Sequence, residues 1–146
     1  MECQMPKIIT KDEKIIQILK QTKTIAIVGL SPDESKASHR VGKYLKEVGY
    51  KIIPIYPKEE EILGEKIYRS LDEVKEKIDM VNMFRKGSFA STLYEQIKKR
   101  EDVKSFWLQL GIVNDGAGEL ALKDGIDFVQ NKCIMIEHKK FEEDLK

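Results

Sequence analysis

Five short runs rich in β-branched and aromatic residues punctuate the chain, at Thr24–Gly29, Lys51–Tyr56, Met80–Phe84, Ser105–Leu110 and Ile126–Val129. None alternates apolar with polar positions, which is the pattern of strands covered on both faces. Between them apolar residues recur at helical spacing. Thr10-Lys11-Asp12-Glu13 reads as a capping box ahead of Ile15, Ile18 and Leu19 and predicts a helix near residues 11–22. Ser38 is placed to cap a helix carrying Val41, Tyr44, Leu45 and Val48 inward, with Gly49 at the position where a glycine ends such a helix. Ser70-Leu-Asp-Glu73 is a second capping box, opening a short helix with Leu71, Val74 and Ile78 inward. A helix over 88–100 buries Leu93, Tyr94 and Ile97, and its Lys98-Lys99-Arg100 end suits the negative end of the helix dipole. Asn114 caps a last helix holding Ala117, Leu120 and Ala121, ended by Gly125.

Strands and helices therefore alternate, and right-handed crossovers place successive helices on either side of a parallel sheet. The fold class expected is α/β, a doubly wound, mainly parallel five-stranded sheet with helices on both faces. Pro54 is the misfit, because a strand tolerates its missing N–H only at an edge or a bulge. Ligands of such sheets bind beyond the carboxyl ends of the strands. The loops after Val28, Ile55, Phe84 and Leu110 are thus the expected site.

Length makes this one domain over 1–146, with its core over about 12–138. Area scaling for 16.9 kDa has about 69% of the unfolded surface buried, enough for a core without disulfides or structural metal. Twenty-six basic residues against 25 acidic ones leave a net charge of +1, which argues against a nucleic-acid coat. The two cysteines, Cys3 and Cys133, form no metal-ligand spacing, and the usage suits a reducing compartment. Met1 to Lys23 carries charges throughout, without the apolar run of a signal peptide, and no stretch approaches a membrane span. A cytoplasmic protein with no membrane partner is expected.

The loop Gly29-Leu30-Ser31-Pro32-Asp33-Glu34-Ser35-Lys36-Ala37-Ser38-His39-Arg40 leads from strand to helix and resembles a phosphate cradle. Gly29 permits the turn, Ser31 and Ser38 offer hydroxyl donors, and Arg40 adds charge beside the helix N-terminus. The competing reading is an ordinary capped loop. Neither GxGxxG nor GxxxxGK[ST] is present, and Asp33 stands where a nucleophile elbow centred on Ser31 needs its second glycine. After the second strand, dinucleotide sites that hold a bare ribose carry Asp or Glu, whereas this chain has Tyr56-Pro57-Lys58. A cation there suits a phosphate on the adenosine ribose, as in NADP or coenzyme A; a solvated lysine is the alternative. Arg85, Gln109 and Gly111 lie at the same edge after the next strands. Trp107 reads as core, His39 and His138 as isolated structural or solvated histidines, and Cys133 to His138 has no zinc spacing. No catalytic residue and no metal site is expected.

Several blocks in order carry a family resemblance: Ile25-Ala-Ile-Val-Gly-Leu-Ser31, Ser38-His-Arg-Val-Gly-Lys-Tyr-Leu45, Gly49-Tyr-Lys-Ile-Ile-Pro-Ile-Tyr-Pro57, Leu63-Gly-Glu-Lys66, Trp107-Leu-Gln-Leu-Gly111 and Cys133-Ile-Met-Ile-Glu-His138. Together they resemble the small stand-alone CoA-binding proteins, which are similar to the N-terminal domain of the succinyl-CoA synthetase α subunit. The resemblance implies a Rossmann-like CoA site. It places Gly29, Leu30, Ser31, Ser38 and Arg40 near the diphosphate, Pro57 and Lys58 near the adenosine phosphate, and Phe84, Arg85, Gln109 and Gly111 along the pantetheine arm. The ligases carry a further domain with an active-site histidine, for which 146 residues leave no room, so acyl-CoA synthesis is not expected. The leading expectation is non-catalytic binding of coenzyme A or acyl-CoA, a small-molecule partner. The rivals are an NADP-dependent oxidoreductase and a regulatory domain with a vestigial nucleotide site and a protein partner. Cys133, followed by alternating Ile134 and Ile136, is expected buried and inert; the contrary reading is a mixed disulfide with the CoA thiol.

Overall fold

The computed structural model describes residues 10–146, so Cys3 lies outside the described residues. In chain order the elements are α1 (Asp12–Gln21), β1 (Thr24–Val28), α2 (Ala37–Glu47), β2 (Lys51–Ile55), β3 (Glu61–Ile62), β4 (Glu65–Lys66), β5 (Met80–Met83), α3 (Phe89–Lys98), β6 (Ser105–Leu108), α4 (Asp115–Lys123), β7 (Asp127–Val129) and α5 (Ile134–Lys140). Five strands pair in parallel in the order β2-β1-β5-β6-β7, while β3 and β4 form a separate antiparallel pair. The chain winds one way from β1 to β2 and the other way from β5 onward. This is a Rossmann-like sheet, and its order reverses between β1 and β5.

Strand periodicity sorts the core into two layers. Ile25, Ile27, Met80 and Trp107 pack with Ile15, Ile18, Leu45 and Ile134 on the face covered by α1, α2 and α5. Ala26, Val81, Phe106 and Phe128 pack with Leu93, Tyr94, Ala117 and Ala121 under α3 and α4. Pro54 finds its place because β2 is an edge strand. Its neighbour Ile55 presents its carbonyl to Gly29 N–H, so Pro54 faces outward, where its own carbonyl accepts from Tyr68 N–H at 3.0 Å.

Several expectations are corrected. Thr10 does not cap α1; its hydroxyl donates to the Phe128 carbonyl at 2.9 Å and ties this end of the chain to β7. Ser38 lies inside the first turn of α2, whose N-cap is Lys36. Val48 falls beyond that helix and is 40% exposed, and Leu120 faces outward at 46%. The helix expected from Leu71 is one 3-10 turn, Leu71–Glu73. Arg100 is the reason: its guanidinium donates to the carbonyls of Leu71, Val74 and Glu76 at 2.9–3.0 Å, and the first two are groups an α-helix would have kept for itself. Asp102 holds that guanidinium on two nitrogens, at 3.0 and 2.8 Å, and accepts from Ile78 N–H. Burial works to raise the Asp102 pKa, but these hydrogen bonds outweigh it and hold the carboxyl below its ordinary value.

α5 was not expected. Ile134 and Ile136, two residues apart, point to opposite sides of a helix, so Ile134 is fully buried and Ile136 is 52% exposed. The helix is latched by His138, which hydrogen-bonds the Tyr44 hydroxyl through Nδ1 at 2.7 Å and meets the Tyr44 and Tyr50 rings edge-on. Burial lowers the His138 pKa below 6.5, against a smaller opposite effect of Glu142, and pushes Tyr50 up to about 12. Because the folded state favours neutral His138, this contribution to stability is complete above the ordinary histidine value and is lost as pH falls through the depressed one. Melting temperature should therefore fall between about pH 7 and about pH 5, and the fall should be shallower in His138→Gln. An unchanged pH profile in that variant would remove His138 as the cause.

Candidate functional site

Three loops meet at the carboxyl ends of β1, β2 and β5, and Gly29 is where they touch. Its φ of +91° is a left-handed conformation open to glycine, and a Cβ there would lie 3.1 Å from the Phe84 carbonyl oxygen. Gly29 N–H donates to the Ile55 carbonyl at 2.8 Å, and Phe84 N–H to the Val28 carbonyl at 2.8 Å.

From Gly29 the chain runs to α2 through a loop braced by its own side chains. Ser38 Oγ accepts from Ser31 N–H at 3.0 Å, and Ser31 Oγ from Asp33 N–H at 3.0 Å. A hydroxyl that accepts still has its proton to give, so both serines remain donors. Asp33 accepts from the amide and hydroxyl of Ser35, bonds that hold its pKa below the ordinary value. His39 Nδ1–H donates to the Ser31 carbonyl at 2.9 Å, and Arg40 Nη1 to the Ser35 carbonyl at 2.7 Å. Leu30 is fully buried, and a Cβ on Gly42 would strike it, so α2 seats directly on this loop. Leu30 can therefore offer a ligand its backbone alone. The amides of Ala37 and Ser38, first in α2, have no partner within the helix and carry its positive dipole end.

The loop after β2 owes its shape to a residue the sequence did not single out. Arg69 Nη1 donates to the carbonyls of Tyr56 and Lys58, at 2.9 and 3.0 Å, and Nη2 lies 3.7 Å from Glu60. Pro57 and Lys58 are left exposed on the braced loop. A crevice opens beside it, floored by Val28, Ile55 and Leu71 and walled by Tyr56, Arg69 and Arg85. The Arg85 guanidinium lies over the Phe89 ring, 4.5 Å from its centre. Two guanidiniums thus line one crevice. Arg69 is distant in sequence from the residues it braces and lies outside every recognisable motif; only the return of the chain past β4, bridging Tyr68 to Ile55, brings it there.

Beyond β6 the expected residues divide. Gly111 is exposed at the edge, with its N–H on Asn131 Oδ1 at 2.7 Å. Gln109 is 3% exposed and turns inward, its Oε1 accepting from Asn82 Nδ2 at 3.0 Å and from Ile134 N–H at 3.1 Å. Its side chain anchors the start of α5 to the central strand. Phe84 is half-buried and packs in the α2 layer. Cys133, also half-buried, precedes α5, and Trp107 Nε1–H donates to the carbonyl beside it, that of Lys132, at 2.8 Å. Among the described residues no three His, Cys, Asp or Glu converge on a possible metal, and no helix is long and apolar enough to cross a membrane.

A family model described as a CoA binding domain matches residues 23–139. The chain belongs to this CoA-binding family. An uncharacterized Bacillus subtilis protein, YneT, is 37% identical to this CoA-binding domain over 125 residues, covering 86% of it and 92% of YneT. A hypothetical protein from Pyrococcus horikoshii shares the CoA-binding domain's fold with a TM-score of 0.86 and 38% identity, over 96% of this chain and 98% of that one. The ADP-forming acetate–CoA ligase of Methanocaldococcus jannaschii is 38% identical over 65 residues, which are 44% of this CoA-binding domain and 9% of the ligase.

Proposed function

We propose that the chain binds coenzyme A or an acyl-CoA across the carboxyl edge of its sheet, in the cytosol, and catalyses no reaction on it. The diphosphate lies against the Gly29–Arg40 loop, with the Ser31 and Ser38 hydroxyls, the first amides of α2 and Arg40 as donors. Lys58 meets the adenosine phosphate, Pro57 flanks it, and the arm passes Phe84, Arg85, Gln109 and Gly111, with Gln109 contributing through its backbone. The observation that carries this reading is a cation exposed on a braced loop after β2, in place of the carboxylate that a bare ribose would need, together with membership of the family. Hydride transfer from NADP would require a proton donor and a substrate pocket beside the nicotinamide, roles for which the sequence singles out no residue pair.

Calorimetry with CoA, NADP and NAD under the same conditions tests it. CoA should bind at least tenfold more tightly than NADP, about 1.4 kcal/mol, and NAD more weakly than both. Tenfold preference for NADP would replace this reading with that of an oxidoreductase. Failure of all three to bind would favour a regulatory domain acting through a protein partner.

A further inference from the structure

Two apolar side chains stand uncovered at the carboxyl edge, on a loop that is otherwise held from both sides. Leu110 is 63% and Val113 54% exposed. The backbone that carries them is fixed to the loop after β7: Gly111 N–H donates to Asn131 Oδ1 at 2.7 Å, and Asn131 N–H to the Ile112 carbonyl at 3.1 Å. On its other side Asn114 Nδ2 donates to the Gly87 carbonyl at 2.9 Å. A Cβ on Gly87 would run into the Val113 carbonyl, so the loop after β5 lies flush against it. Ile112, between the two, packs into the core. A pinned loop that turns one apolar side chain in and holds two out offers a small hydrocarbon surface, and Gln109-Leu-Gly-Ile-Val-Asn114 carries no charge.

The position of that surface names its occupant. β6 lies two strands from β1, about 10 Å along the edge at ordinary strand spacing. A pantetheine arm is about as long as four extended residues, roughly 14 Å. An arm that starts from a diphosphate at the β1–α2 loop and runs along the edge past β5 is long enough to bring its sulfur to the β6 loop or just past it. A bare thiol gains little on hydrocarbon; an aliphatic chain continuing from that sulfur gains its own burial. Resting on the functional reading above, we infer that Leu110 and Val113 form a platform for the acyl chain of a thioester, and that the ligand class is an uncharged aliphatic acyl-CoA in preference to free CoA.

Isothermal titration of the full chain with CoA, hexanoyl-CoA and succinyl-CoA tests the platform. Hexanoyl-CoA should bind about tenfold more tightly than CoA, the burial of one or two methylenes, while succinyl-CoA, whose chain ends in a carboxylate, should stay within about twofold of CoA. In the double variant Leu110→Asp/Val113→Asp the ratio of hexanoyl-CoA to CoA affinity should fall to about one. Leu110→Ser, a milder change at an exposed position, should lower the same ratio and serves if the double variant melts early. Equal affinities for CoA and hexanoyl-CoA in the unaltered protein, or a ratio that survives both variants, overturns the platform and leaves CoA binding standing. Sedimentation velocity adds a further outcome. If the substitutions split a dimer and leave the ratio unchanged, the surface belongs to a second copy and the platform is overturned. Absence of binding by every CoA species removes the functional reading, and this inference with it.

Discussion

Arg100→Met should lower the free energy of unfolding by about 1.5–3 kcal/mol, the usual net worth of hydrogen bonds made by a charged group. The pair is half-buried, with side-chain exposures of 15% for Arg100 and 22% for Asp102. Methionine keeps the apolar stem and removes the donors, so the loss reports the guanidinium and not the packing. Three carbonyls, those of Leu71, Val74 and Glu76, lose the guanidinium together; Leu71 keeps the Val74 N–H, and Asp102 keeps only the Ile78 N–H. At about 2–4 °C per kcal/mol for a chain of this size, melting should drop by roughly 6 °C. Asp102→Asn, which retains an acceptor for Ile78 N–H, should cost less. Urea unfolding of both variants decides the matter; a loss below about 1 kcal/mol for Arg100→Met would mean that water replaces the guanidinium at those carbonyls.

Binding should respond most to Lys58→Ala. A charge-assisted bond to phosphate is worth about 1.5–3 kcal/mol, so CoA affinity should fall roughly ten- to hundredfold while dephospho-CoA, lacking the ribose phosphate, loses little. Arg40→Ala should weaken both ligands alike, because both contain the diphosphate and because Arg40 also secures the Ser35 carbonyl. Calorimetry on the four combinations separates the two roles. Equal losses of CoA and dephospho-CoA in Lys58→Ala would detach Lys58 from the ribose phosphate.

How far the sequence could be read depended on whether the determinants were local. The main strands were legible because two-sided burial leaves an uninterrupted apolar run, and Asn114 was legible as a cap because its Oδ1 needs only Ala117 N–H, three residues on. The 71–78 segment was illegible for the opposite reason, since the group that captures its carbonyls is Arg100, two residues past the end of α3. α5 carried no helical signature because Ile134 and Ile136 stand two residues apart, and the buried partners that reveal a helix, Glu137 and His138, are polar. Within the candidate site Gly29 announced the loop, but nothing near Gln109 announced that its side chain would turn toward Asn82. Arg69 acts across a chain reversal made by two-residue strands, too short for any periodicity to register.

Pro54 bears on how molecules of this protein meet one another in concentrated solution. A sheet edge with free amides recruits strands from neighbouring molecules, the first step of aggregation. Here the outer side of β2 presents an imide without a proton, and the groups flanking it are taken up by Tyr68, whose N–H and carbonyl pair with Pro54 and Tyr56. At the opposite edge β7 is three residues long and has given its Phe128 carbonyl to Thr10. One imino acid at one end and one hydroxyl at the other thus shorten the template that either margin of an apolar, five-stranded parallel sheet offers an intruding strand.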